Sequence, residues 1–281
     1  MNKVWIITGC STGFGRELAK LTLAQGYRVG VASRNTDDVK DIVENYPETA
    51  IALKLDVTKL DEIKTSVAQV KEKFGRVDVL VNNAGIGYFG AVEESEDDQV
   101  RRMFEINYFG LANMTTEVLP IMRAQRSGHI INIASIGGLV GFPAVGHYNG
   151  TKFAVDGLSE ALAKETAPLG IKVTVICPSG FRTDWAGRSA NNSAIVIDDY
   201  KETAHTNQNT IRGYSGNQAG DPVLAAKAII KVSETENPPL HLLLGKAALM
   251  GARAKLDILK KDFDAWEETT VGADAPAAHR A

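Results

Sequence analysis

The stretch Val4-Trp5-Ile6-Ile7-Thr8-Gly9-Cys10-Ser11-Thr12-Gly13-Phe14-Gly15 decides how this chain folds. Val4 to Ile7 is an apolar run of strand length, suited to a strand covered on both faces. Leu18, Leu21 and Ala24 follow at helical spacing. In the turn between them, Gly9 suits a tight bend, Gly13 lets the backbone approach a phosphate, and Gly15 lets helix and strand pack closely. Strand, glycine turn and helix in this order form a cradle, where free N–H groups and a positive helix end meet a pyrophosphate. The spacing is G-x-x-x-G-x-G and not the common G-x-G-x-x-G.

Outward from this unit, strand-like and helix-like segments alternate. Strands are expected at Lys3–Ile7, Arg28–Ala32, Ile51–Leu55, Val77–Val81, His129–Ala134, Lys172–Ile176 and His241–Leu244. Helices are expected to begin near Gly13, Thr36, Leu60, Asp97, Tyr148 and Pro222. The alternation predicts an α/β fold, with a doubly wound parallel sheet of seven strands and helices on both faces. Thr183 to Gly220 breaks the rhythm. It is long and polar, without a clear period, as expected of a lid over a site. Residues 1–245 are read as one domain carrying this lid at 183–220, and 246–281 as a C-terminal extension. Within the extension, Lys246 to Trp266 reads as helix and Gly272–Ala281 as a mobile tail.

The 281 residues are 44% hydrophobic and 23% charged, enough for one large domain with a full core. The net charge of −3, with scattered basic residues, gives no footing for nucleic acid. Only four consecutive apolar residues follow Lys3, too few for a secretion signal. The most apolar stretch, Leu240 to Met250, is short and holds Lys246, so no membrane span is expected. Cys10 and Cys177, each ending a predicted strand, read as ordinary thiols of a reducing, cytoplasmic compartment. No His, Cys or Asp spacing suggests a metal.

Chemistry enters with Asn107, Ser135, Tyr148 and Lys152. Tyr148 and Lys152 are four apart, which on a helix puts both on one face. A cation at ~4 Å and an effective dielectric of ~20 favours the phenolate by ~4 kcal/mol, roughly three pKa units. That would bring a tyrosine into the range of efficient acid–base catalysis. A lone Tyr-x-x-x-Lys is ordinarily a surface helix with a snorkelling lysine. Here Ile130-Ile131-Asn132-Ile133-Ala134-Ser135-Ile136-Gly137-Gly138 lies upstream, a buried strand ending in a hydroxyl and two glycines.

The glycine turn, Asn82-Asn83-Ala84-Gly85, Ser135 and Tyr-x-x-x-Lys occur in one order. Together they resemble the short-chain dehydrogenase/reductase family in its single-domain Rossmann form, over about residues 1–245. The resemblance implies that Ser135 orients a substrate carbonyl and Tyr148 delivers the proton. Lys152 would lower the tyrosine's pKa and hold the nicotinamide ribose, while Asn107 binds a water that relays protons to Lys152. For the cofactor it implies Gly9, Ser11, Thr12, Gly13, Phe14 and Gly15 at the phosphates, and Asp56 with Val57 at the adenine. Asn83, Ala84 and Gly85 would lie at the adenine ribose, and Pro178, Gly180 and Thr183 near the nicotinamide. Ser179 stands where the family usually has glycine, and Gly150 interrupts the catalytic helix. The family's strand order puts the two cysteines three strands apart, ~14 Å at ~4.8 Å per strand, too far for a disulfide.

Selectivity for NAD needs a carboxylate at the end of the second strand, where this chain has Ser33-Arg34. Arg34 can pair with a ribose phosphate instead, so NADP(H) is the expected cofactor. Leu139, Phe142, Val145, Phe181 and Trp185, with Tyr88 as a further candidate, are expected around the nicotinamide. They suit a small hydrophobic ketone, aldehyde or alcohol, and the loop around Phe181 looks most like hydroxysteroid and retinol dehydrogenases. Arg182 would favour an anion if it faced inward. Phe153, Ala154, Gly157, Leu158 and Ala161 form a small-residue face suited to a homodimer or homotetramer. Two other readings are a cofactor-binding sensor, which would be expected to have lost Tyr148 or Lys152, and a sugar-nucleotide epimerase or dehydratase, which usually carries a larger C-terminal domain.

Overall fold

All four residues of Val4–Ile7 (β1) are buried, as an unbroken apolar run requires. The computed structural model describes residues 2–187 and 189–275. In chain order β1 leads to α1 (Gly13–Ala24), β2 (Arg28–Ser33), α2 (Lys40–Val43), β3 (Ala50–Lys54), α3 (Leu60–Phe74) and β4 (Val79–Asn82). There follow β5 (Gly87–Phe89), α4 (Asp97–Phe104), α5 (Gly110–Gln125), β6 (Gly128–Ile133), α6 (Gly146–Thr166) and β7 (Ile171–Pro178). The chain ends through β8 (Ala190–Asn192), α7 (Thr206–Gly213), α8 (Pro222–Glu234), β9 (His241–Leu244), α9 (Lys246–Ala265) and α10 (Glu267–Gly272).

Seven strands form one parallel sheet in the order β3-β2-β1-β4-β6-β7-β9. The side-chain period of a strand sends β1 residues to opposite faces. Trp5 and Ile7 join Leu18 of α1 and Ala226 and Ile229 of α8. Val4 and Ile6 join Val67 and Val70 of α3 and Met114 and Val118 of α5. The strand order reverses between β1 and β4. In such sheets ligands bind beyond the carboxyl ends of the strands at that point.

The expected strands are all present, with ends shifted by one or two residues. The helix expected from Asp97 is two, α4 and α5, joined by a π-helical turn at Glu105–Phe109. The segment 183–220 is not patternless. It holds β8, which pairs in parallel with β5, and α7 preceded by a second π turn. Both π turns and these two short strands lie outside the helix and strand periods that the sequence displays. The helix expected at Lys246 is α9. Of the expected mobile tail, residues from 276 onward lie outside the described residues. Cys10, in the turn after β1, and Cys177, on β7 three strands away, are buried free thiols. No helix among the described residues is long and apolar enough to cross a membrane.

Candidate active site

At the carboxyl end of β1, Gly9 has φ +71° and Gly13 φ +58°, conformations that favour glycine. A Cβ on Gly15 would stand 2.4 Å from the Gly9 carbonyl oxygen, so the turn closes only with glycine there. Thr12 precedes α1 but makes no side-chain cap, and the first turn of the helix holds no carboxylate. The leading N–H groups of α1 are therefore left for an anion. Thr183 lies 3.5 Å from a Cβ position on Gly13, which brings the end of the β7 loop over the turn.

Asn83, Ala84 and Gly85 are stitched to this turn. The Thr8 hydroxyl accepts from the amides of Asn83 (2.9 Å) and Ala84 (3.0 Å). The Asn83 side chain donates to the carbonyls of Thr8 (2.8 Å) and Gly9 (3.0 Å). Beyond β2, Ser33 is buried and Arg34 is exposed. Asp56 is the electrostatic neighbour of Arg34, which forms no ion pair among the described residues. Burial raises the Asp56 pKa, but the Thr58 amide and hydroxyl, Arg34 and Lys59 together hold it below the ordinary value. Val57 packs on Gly110 of α5, where a Cβ would stand 2.6 Å from Val57 Cγ2. Asp37 and Asp38 belong to the next helical turn, whose N-cap is Asn35.

The four chemical residues converge. Ser135 follows β6, and its Oγ accepts from the Gly137 amide at 3.0 Å. The Ser135 hydroxyl faces the phenol of Tyr148, which is buried on α6, and favours its ionised form. Lys152, one turn on, donates to the Ile133 carbonyl at 2.8 Å, with Nζ 5.7 Å from the centre of the Tyr148 ring. Nζ also lies 3.8 Å from a Cβ position on Gly85, and Asn107 Oδ1 is 3.3 Å from the same point.

The downward shift expected of the tyrosine is not found: burial pushes Tyr148 up to about 12 against the pull of the Ser135 hydroxyl, and burial pushes Lys152 down to about 8. Both shifts follow from the cost of holding a charge away from water. The Asn107 side chain is occupied by protein groups. Its Oδ1 accepts from the Ile86 amide (2.8 Å), and its Nδ2 donates to the Ile86 carbonyl (2.9 Å) and to Thr151 (3.2 Å). The π turn at Glu105–Phe109 carries this asparagine.

Around Tyr148 lie Tyr88, Val145 and Trp185. The Trp185 ring is 4.8 Å from that of Tyr148 and 5.7 Å from that of Phe89. Three other expected lining residues are not in the cluster around Tyr148. Phe181 stands edge-on to Phe14 at 5.0 Å and packs on the α1 and α8 side. Leu139 packs with Leu111, Ala134 and Val155, and Phe142 is 36% exposed. Arg182 turns away from Tyr148 to pair with Asp221 at 2.8 Å. Ser179 takes the glycine position by bonding its amide to the Leu244 carbonyl, against Gly245 at φ +93°. At Gly150 a Cβ would meet Phe104 at an ordinary 3.6 Å, so nothing in the structure explains that glycine.

One functional candidate escapes sequence reasoning. Glu94 is 2% exposed and clamps the segment above Trp185. Its carboxylate accepts from the amides of Ala91 (2.9 Å) and Ile197 (2.7 Å) and from His205 Nε2 (2.7 Å). Burial raises its pKa, but these bonds outweigh that and hold it below the ordinary value. In sequence Glu93-Glu94-Ser95-Glu96 looks like a solvated acidic run, and only the fold shows which carboxylate turns inward. Away from the site, Asp156, Glu160 and His241 place three possible metal-ligand atoms within 4.8 Å of one another, a grouping invisible in their spacing. His241 Nε2 bonds Asp156 there at 2.8 Å.

Residues 3–194 match the family model described as short chain dehydrogenase. A 3-ketodihydrosphingosine reductase of Bacteroides thetaiotaomicron is 37% identical over 244 residues, covering 86% of this chain and 88% of its own. A solved short-chain dehydrogenase from Streptomyces avermitilis superposes with a TM-score of 0.91 at 40% identity, covering 97% of this chain and 98% of its own. ElxO, solved with NADP bound, superposes with a TM-score of 0.71 at 29% identity, covering 87% and 96%.

Proposed function

Since this chain belongs to the short chain dehydrogenase family of oxidoreductases, we propose that it interconverts a hydrophobic ketone or aldehyde and its alcohol with NADP(H). The observation that carries the proposal is the convergence of Ser135, Tyr148 and buried Lys152, whose Nζ lies 5.7 Å from the centre of the tyrosine ring, on the side of the sheet that carries an uncapped helix N-terminus. The glycine turn fits a dinucleotide, because Gly9, Gly13 and Gly15 leave the space and Thr12 leaves the N–H groups. Bound there, the nicotinamide supplies or takes up the hydride.

The chain's own residues handle the oxygen and its proton. Ser135 donates a hydrogen bond to the carbonyl oxygen and opposes its growing negative charge. Tyr148 holds its proton throughout the neutral range, so it enters the reduction as the acid and gives that proton to the oxygen. Lys152, charged below about pH 8, stabilises the phenolate that remains. Asn107 acts by position, fixing Ile86 and with it the Gly85 turn beside Lys152.

Arg34 favours NADP(H), since it is exposed at the ribose end of β2 and no carboxylate replaces Ser33. Tyr88, Val145 and Trp185 favour an apolar substrate, and the relative named 3-ketodihydrosphingosine reductase points the same way. The segment 183–220 serves as the lid that excludes water. A panel of hydrophobic ketones, sugars and keto acids, followed by NADPH and NADH absorbance, tests this reading. Higher kcat/KM on sugars or keto acids than on every hydrophobic ketone would refute the substrate class. No turnover of any carbonyl with either cofactor would favour a sensor.

A further inference from the structure

α9 leaves the sheet at Gly245 and touches the body through its first turns, where Ala248 is buried and a Cβ on Gly251 would meet Ile136 at 3.6 Å. From Lys260 to the last described residue every side chain is exposed. A helix end with no packing is marginal in water, because helical stability in proteins comes mostly from a buried apolar face. This end is nevertheless apolar along one line. Leu249, Leu256 and Phe263 recur every seven residues, and so do Ala252, Leu259 and Trp266. The two series are offset by three, the a and d seam of a coiled coil, with Trp266 at the turn that ends α9. Leu249, Leu256, Phe263 and Trp266 are 40%, 65%, 67% and 65% exposed.

We propose that this seam pairs with the same seam of a second copy of the chain, antiparallel about a two-fold axis near Asp257. That register sets Ala252 against Phe263, small against large, with Leu249 against Trp266 and Leu256 against Leu259. The flanks decide the direction. Arg253 and Lys255 edge the first half of the seam, and Lys260 and Asp262 edge the second, while Glu267 begins α10. Antiparallel pairing brings Lys255 to Asp262 and leaves one like pair, Arg253 with Lys260. Parallel pairing would instead oppose Lys255 to Lys260, like-charged, and give Asp262 no cation. A membrane surface fits less well, because residues 246–275 carry five basic and six acidic side chains, without the basic excess that anionic lipid attracts. The strip is ~30 Å long and one helix wide, at the low end of specific interfaces, so micromolar association is expected.

Sedimentation velocity of the full chain, from below to well above micromolar, tests the pairing. The wild-type mass should rise with concentration. Leu256→Glu with Phe263→Glu should remove that step, leaving any assembly through other surfaces intact. Asp262→Lys alone should weaken the step about tenfold, as should Lys255→Glu, and the two combined should restore it, because the swapped charges still meet across the axis. A wild-type mass that does not change with concentration, a seam variant that sediments like wild type, or a double charge variant weaker than either single one would overturn the proposal. So would a monomeric chain that co-sediments with equimolar phosphatidylcholine–phosphatidylserine vesicles and loses this with Trp266→Ser. Activity with NADPH is a separate readout and does not bear on the pairing.

Discussion

Tyr148 and Lys152 have both moved from their ordinary pKa values, in opposite directions and for one reason, burial. A phenol that keeps its proton to about pH 12 can serve as the acid in carbonyl reduction, whereas alcohol oxidation starts from the phenolate. For reduction, kcat/KM should be level below pH 7 and fall as Lys152 loses its proton near pH 8. Lys152→Ala should abolish that descending limb along with most of the rate. Tyr148→Phe should keep cofactor affinity and lose at least ~10²-fold in kcat, the ordinary share of general acid catalysis. Retention of a tenth of the wild-type rate would exclude the tyrosine as the acid. At the other end of the cofactor, Arg34→Ala should raise the KM for NADPH roughly ten- to a hundredfold and leave NADH nearly unchanged. Equal Michaelis constants for the two cofactors in the wild type would contradict the assignment. Among these residues the identities were legible because the spacing of Tyr148 and Lys152 and the order of the motifs survive in one dimension. The sign of the tyrosine's shift was not, because it depends on burial among residues such as Tyr88 and Trp185, which are distant in sequence.

At the scale of elements, the sheet and its order were readable because each strand is a short apolar run between turn signals. The segment over the site was not. β8 is three residues, Ala190–Asn192, held by β5 and by Arg212, which donates to the Ala190 carbonyl, and not by any pattern of its own. Likewise Phe181, placed by sequence at the substrate, is taken by Phe14, a pairing that only the close approach of the β7 loop and α1 creates. Glu94 ties this segment down, so Glu94→Gln should raise the KM for the ketone several-fold, with a smaller effect on the KM for NADPH. The clamp has a definite pH sense. The folded Glu94 has a lowered pKa, so its stabilising effect is complete above the ordinary carboxylate range and lost as pH falls through the lowered value. Proteolytic nicking within 183–220 should therefore be slow at neutral pH and accelerate in acid, and the glutamine variant should be nicked readily at both. Equal resistance in both proteins would show that the lid does not depend on this carboxylate.

For the whole molecule, α6 presents Gly150, Phe153, Gly157 and Ala161 to solvent, with Phe153 44% exposed, while Ala154 and Leu158 of the expected face are partly covered. Phe153→Glu should lower the assembled mass in light scattering, independently of the α9 seam. An unchanged mass would remove α6 from the assembly. The buried ammonium of Lys152 has a cost that catalysis does not reveal. No carboxylate reaches it within ion-pair distance among the described residues, and its drop from 10.5 to about 8 corresponds to about 3 kcal/mol held against folding at neutral pH. The unfolded chain binds this proton more readily, so global stability should climb between pH 8 and ~10, where unfolded tyrosines begin to ionise. Lys152→Met, nearly isosteric and uncharged, should then give an inactive protein that melts several degrees higher at pH 7, with the gain shrinking as pH approaches 10. The enzyme would thus be less heat-resistant than its fold allows, a thermal weakness located at one nitrogen.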